Sequence, residues 1–124
     1  MPHVVIHGPV SLEKFYQQFE PTTIRENSLI MKTREAFLNV TKDILLLECV
    51  AVEDRFSQIF YMQLVQKAPD STTVRLDALT DPEKNDAVRR FLAIIGAQLK
   101  AQHPACQYAQ HNLSGFLCNG DVPI

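Results

Sequence analysis

The sequence predicts an α+β domain: a mostly antiparallel sheet of roughly four to five strands, with a short N-terminal helix and a long amphipathic helix near 82–101 packed on one face. Three observations predict it. Residues 43–79 hold three apolar, β-branched or aromatic segments separated only by short turns, which is the pattern of hairpins rather than of parallel crossovers. Residues 82–101 carry one apolar stripe at helical period. The 124 residues are 46% hydrophobic and 21% charged, enough to close one core without a metal or a disulfide framework. A single domain over 1–124 follows, in which 105–124 is either a loosely ordered tail or an edge strand.

The first strand is read at 3–7 (HVVIH), with Val4 and Ile6 on one face and His3, Val5 and His7 on the other. Gly8-Pro9 ends it. Ser11 is suited to cap a helix over 12–19, where Leu12, Phe15, Tyr16 and Phe19 recur at helical spacing, and Pro21 stops it. Residues 29–38 are ambiguous: at period 2 each face mixes apolar and charged residues, while the composition suits a helix. Their shortness tips the reading to strand. Were they helical, the order of elements would resemble helix-grip ligand-binding folds, a likeness that transfers no function.

Residues 43–53 (DILLLECVAVE) are apolar on both faces, as a central buried strand is. Residues 56–67 supply its antiparallel neighbour across Asp54-Arg55. Ala68-Pro69-Asp70-Ser71 is a turn with proline fixing φ at its second position. Residues 72–79 alternate, with Val74, Leu76 and Ala78 inward and Thr73, Arg75 and Asp77 outward. Thr80 and Glu83 have capping-box spacing, and Pro82 suits a first helical turn. Val88, Phe91, Leu92, Ile95 and Leu99 then form the inward stripe, with Arg89, Arg90 and Lys100 read as its solvated side. Ala93, Gly96 and Ala97 permit close approach of another element or subunit. Pro104 limits extension, and the tail either adds one edge strand around 113–118 or lies along the surface.

Charge and motifs exclude more than they assign. Twelve basic against 14 acidic residues give a net charge of −2 and no basic stripe, so nucleic acid is not expected. Phe56, Phe60 and Tyr61 accordingly read as core rather than as base-stacking groups. Cys49, Cys106 and Cys118 form no CxxC pair, and the opening MPHVVIHG lacks a basic leader region. Apolar runs such as Ile44–Leu47 are far too short to cross a membrane, and a cytoplasmic location is the expectation. His3 and His7, about 13 Å apart along one strand, cannot share a metal ion. With glycine only at 8, 96, 115 and 120, neither GxGxxG nor a phosphate loop can be written. No cofactor is expected.

Glu48 interrupts an apolar strand and must be paired, protonated or facing water. Lys32, Arg34 and Arg75 are its candidate partners if they share its layer, and the solvated side of the sheet is its favoured position. Lining a pocket, it would be a natural general acid or base.

The opening Met1-Pro2-His3-Val4-Val5-Ile6 resembles the tautomerase superfamily. That resemblance implies removal of Met1 and a Pro2 amine acting as general base on an enol acid. A desolvated secondary amine titrates lower and can be neutral near physiological pH. Lys32, Arg34 or Arg75 would then take the substrate carboxylate, chosen by charge alone. Two function classes therefore compete. One is a non-enzymatic ligand-binding or self-associating module, homo-oligomeric in the second case, with an apolar concavity between sheet and last helix or an exposed apolar patch. The other is a tautomerase using Pro2. The module is the preferred reading.

Overall fold

A computed structural model describes residues 1–117. The elements are β1 (His3–His7), α1 (Leu12–Gln17), β2 (Thr22–Glu26), β3 (Leu29–Leu38), β4 (Ile44–Glu53), β5 (Phe56–Ala68), β6 (Ser71–Leu76), a 3-10 turn (Ala78–Thr80), α2 (Asp86–Gln102) and β7 (Gln107–His111). All strand pairs are antiparallel, in the order β2-β3-β4-β5-β6-β1-β7, and the sheet curls into a half-barrel. Strands β2 to β6 form a meander. The first strand then lies beside β6, with β7 on its outer edge.

This corrects the predicted α+β architecture: the described residues hold seven strands, not four or five, and the sheet dominates. Both additions lie at the edges. Of β2, only Ile24 is buried, and β7 (QYAQH) has no buried residue, so neither shows the alternation that betrays a half-covered strand. The predicted strand near 113–118 is instead β7 at 107–111; Cys118 and the remaining tail lie outside the described residues.

The ambiguous segment 29–38 is a strand, and its mixed faces have a cause. Pairing between β3 and β4 slips between Thr33 and Glu35, leaving Arg34 as an inserted residue. Met31 and Thr33 face inward before the bulge, and Ala36 and Leu38, opposite Leu47 and Leu45, face inward after it. The β4–β5 turn has positive φ at both Asp54 (51°) and Arg55 (65°), as a two-residue hairpin loop of matching twist requires.

α2 lies in the concave face and is buried almost all round, from Ala87 to Leu99. It begins later than predicted. Asn85 accepts the Val88 N–H as its cap, while the Thr80 hydroxyl accepts the Tyr61 N–H and Pro82 stays outside the helix. Ala78, predicted inward, is exposed in the 3-10 turn. Gly96 sits against Val4, where an added Cβ would meet a methyl at 3.4 Å, so the small-residue face seats the helix on β1. Phe60 and Phe91 meet edge to face, centroids 6.1 Å apart, at the centre of the core. Of the three aromatics read as core, only Phe60 is: Phe56 is 48% exposed and Tyr61 faces outward.

Arg90 also departs from its reading as a solvated helix residue. It is buried, donating from Nε and a terminal nitrogen to both Glu26 carboxylate oxygens (2.8 and 3.0 Å) and to the Phe116 carbonyl (2.6 Å). One guanidinium thus ties α2 to the edge strand β2 and to the segment after β7.

Candidate functional site

Between α1, the inner face of β2–β4 and the C-terminal half of α2 lies a cavity of about 200 Å³. Phe15, Phe19, Met31, Leu47, Phe91 and Ile95 make its apolar wall, while Thr33, Gln98 and Gln102 bring polar groups to it. Gln18 and Glu20 of the α1–β2 connection and Thr22 at the start of β2, all exposed, form the rim.

Local sequence builds each wall. The Ser11 hydroxyl accepts the Lys14 N–H to start α1, and Pro21 stops the chain from continuing as helix, so it turns back into β2. α1 ends at Gln17, short of the predicted 19, so Phe19 lies in the connection to β2, from which it lines the cavity together with Phe15. α1 is fastened to the end of α2 at two points. Lys14 Nζ donates to the Gln102 carbonyl (3.1 Å), and the Ser11 N–H donates to His103 Nε2 (3.0 Å). His103 Nδ1 lies 2.9 Å from the Leu99 carbonyl, so these partners call for the neutral ring protonated on Nδ1.

The polar groups are unevenly satisfied. Thr33 Oγ1 accepts the Thr22 N–H (3.1 Å), which leaves its hydroxyl hydrogen to give. Gln102 Oε1 is buried without a hydrogen-bond partner, one of two such side-chain atoms among the described residues, the other being Thr72 Oγ1. An unpaired buried amide oxygen costs about 1–3 kcal/mol, so a donor supplied to it is favoured. These residues were not singled out from the sequence, although a signal existed. Phe91, Ile95, Gln98 and Gln102 occupy one helical face, and its lower half turns from apolar to carboxamide.

The residues proposed from the sequence fall in three places. Glu48, Arg34, Lys32 and Arg75 all lie on the outer, convex face, away from the cavity. Arg34 Nε stands 3.6 Å from Glu48 Oε1, and the Tyr61 hydroxyl donates to the other oxygen at 3.3 Å. The negative charge of Glu48 is the main reason that the Tyr61 phenol titrates above its ordinary range, with desolvation and their hydrogen bond adding to it. Arg75 is engaged elsewhere, donating from Nε to Gln63 Oε1 (3.0 Å) at an open outer cleft that His3 and Asp77 also line. Lys32 is exposed opposite Val50.

Pro2 is buried at the head of β1, beside a separate cleft of about 360 Å³ shared with Met1, Lys84, Arg89 and Asn112. Its neighbouring cations are thus Lys84, paired with Asp81, and Arg89, rather than the three chosen by charge. Cys49 faces the core, where burial first and the Glu48 charge second push its thiol far above the ordinary range. A thiol so placed is inert as a nucleophile.

Among the described residues no cluster of His, Cys, Asp and Glu is arranged to hold a metal ion, and no helix is long and apolar enough to cross a membrane. No family model, curated protein or solved structure matches this chain.

Proposed function

We propose that this chain is a binding module for a compact, uncharged, largely apolar small molecule, held under α2 by a donor to Gln102. The observation that carries this reading is Gln102, whose Oε1 is buried and unpartnered, among the residues that line a cavity with an aromatic and aliphatic wall. Size narrows the ligand. A cavity of about 150 Å³ accommodates benzene, so the about 200 Å³ here suits one ring with a small substituent. Charge narrows it further, because the one ionisable group of the lining, Glu20, stands at the exposed rim and the interior offers no counter-ion. Thr33 supplies a donor and Gln102 an acceptor, which fits a hydroxyl or primary amide on the ring.

Phenol, benzyl alcohol and toluene make a direct test, with binding followed by calorimetry. A hydroxyl that reaches Gln102 should raise affinity by roughly tenfold over toluene, the effect of one net hydrogen bond. Gln102→Leu should abolish that preference while leaving toluene binding intact. Equal binding of phenol and toluene to the unaltered protein would refute the reading, as would no binding of any of them at millimolar concentration.

A second reading, proton transfer by Pro2 on an enol acid, is favoured by the cleft that Pro2 shares with Lys84 and Arg89. It requires removal of Met1. On protein whose Met1 removal has been confirmed by mass, turnover of enol acids that vanishes in Pro2→Ala would support it. Equal turnover in both proteins, or none, would dismiss it.

A further inference from the structure

The outer face of β3–β5 has an order that the cavity does not use. Across the three strands, register gathers Ile30, Val52, Val50 and Ile59 on one side, with Lys32 beside Val50 and Ser57 beside Val52, and Phe37, Leu46, Ile44 and Val65 on the other, with Gln63 beside Leu46. Between them runs one polar row, Glu35–Glu48–Tyr61, with Arg34 of the bulge reaching Glu48. Phe37, Ile44 and Ile59 are 50%, 36% and 62% exposed. β4 is thus a strand apolar on both faces of which only one is covered, a pattern expected where both faces are buried.

We infer that this face is the interface of a two-fold homodimer, its occupant a second copy of the chain. Self-complementarity argues for that occupant. A two-fold axis lying in the face along the Glu35–Glu48–Tyr61 row sets each apolar group of one copy on the other group of its partner. The same operation brings two Arg34–Glu48 pairs together about the axis. The internal pair is loose at 3.6 Å and its arginine is half-exposed, so the guanidinium can also bridge to the second carboxylate. Area is adequate as well. At ~3.3 Å per residue and ~4.8 Å between strands, ten residues across β3 to β5 project to on the order of 500 Å². Upright side chains raise the accessible area towards the ~800 Å² per partner of a standard interface. Sheets packed face to face in this way lie about 10 Å apart.

Sedimentation velocity and light scattering on the whole chain test this. The unaltered protein should be a dimer at micromolar concentration. Ile59→Lys and Phe37→Lys should weaken it by at least roughly thirtyfold, as loss of a central interface residue does, with circular dichroism unchanged. Counting Glu35, Arg34→Glu gathers six negative charges along the axis, and Glu48→Arg sets four positive charges there against the two Glu35 carboxylates, so each should be monomeric alone. Mixing the two should restore a heterodimer, which no folding defect can imitate. A monomer at millimolar concentration would overturn the inference, even one that binds apolar dyes or vesicles through this face. So would dimers that survive all four substitutions, or a mixture that stays monomeric. None of these outcomes bears on the cavity, which lies on the other side of the sheet.

Discussion

The two faces of β4 differ little in hydrophobicity and greatly in fate. Leu45, Leu47, Cys49 and Ala51 are sealed beneath α2, whereas Leu46, Val50 and Val52 are half-buried and Ile44 exposed on the other side. The described residues hold one long helix, α2, and a helix about 25 Å long can cover one face of a sheet and no more. Apolar patterning therefore states how much surface wants to leave water, while the number of covering elements decides how much of it does so within one copy.

The sharpest way to break this comparison is to delete an aromatic from each face. Phe91→Ala, at the core contact with Phe60, should cost about 3–5 kcal/mol in urea unfolding, independently of protein concentration. Phe37→Ala should cost less than about 1 kcal/mol in the monomer, with any larger loss appearing only at concentrations where dimers form. Losses of equal size, both independent of concentration, would show that the outer face is already packed within one copy.

Ion pairs give the same contrast at smaller scale. Arg90 meets both oxygens of Glu26 and is buried, so Arg90→Ala strands a partly buried carboxylate and should cost about 2–4 kcal/mol. Arg34, 52% exposed and 3.6 Å from Glu48, should yield less than about 1 kcal/mol in the monomer when replaced by Ala. Thermal unfolding of dilute protein separates the two. Similar losses would mean that burial does not rank these pairs.

Why some of this was legible and some not follows from where each signal arises. β1, β4, β5 and β6 lie in the interior of the sheet, and apolar residues on at least one face of each announce them in the sequence. Edge strands β2 and β7 pack too little to need a pattern, and TTIRE and QYAQH read as loops. The bulge at Arg34 moves the inward set from odd to even positions, which defeats any fixed period. The start of α2 misled because Thr80 and Glu83 have the spacing of a capping box while Thr80 is taken by β5. Arg34 was one of three conditional partners for Glu48, and only the bulge and register of β3 against β4 bring these two together. The cavity was foreseen only as a concavity between sheet and helix. Its polar residues come from β3 and from the far end of α2, and only the fold brings them together.

Within the cavity, stability and binding should move apart. Gln102→Leu removes an unpaired buried oxygen, so unfolding stability should hold or rise by up to about 1 kcal/mol even as the preference for a hydroxylated ligand disappears. A clear fall in stability would mean that this oxygen already has a partner, and would remove the reason to place a ligand donor there.

The smallest effect lies in the polar row of the outer face and is read by alkaline titration. Because Glu48 holds the Tyr61 phenol above its ordinary range, the folded chain keeps this proton at a pH where the unfolded chain releases it. The associated stability is whole below the unfolded value of about 10 and is lost as pH rises through the folded one. Glu48→Gln removes the leading cause, so the ultraviolet titration of Tyr61 should move down and the alkaline loss of stability should start from a smaller gain. Arg34→Gln should move it up, since that guanidinium opposes the shift. In the dimer the row is withdrawn from water, and desolvation raises a phenol further, so the titration should climb with protein concentration. A midpoint indifferent to concentration across the dimerisation range would place Tyr61 in water in both states and move the interface off this face.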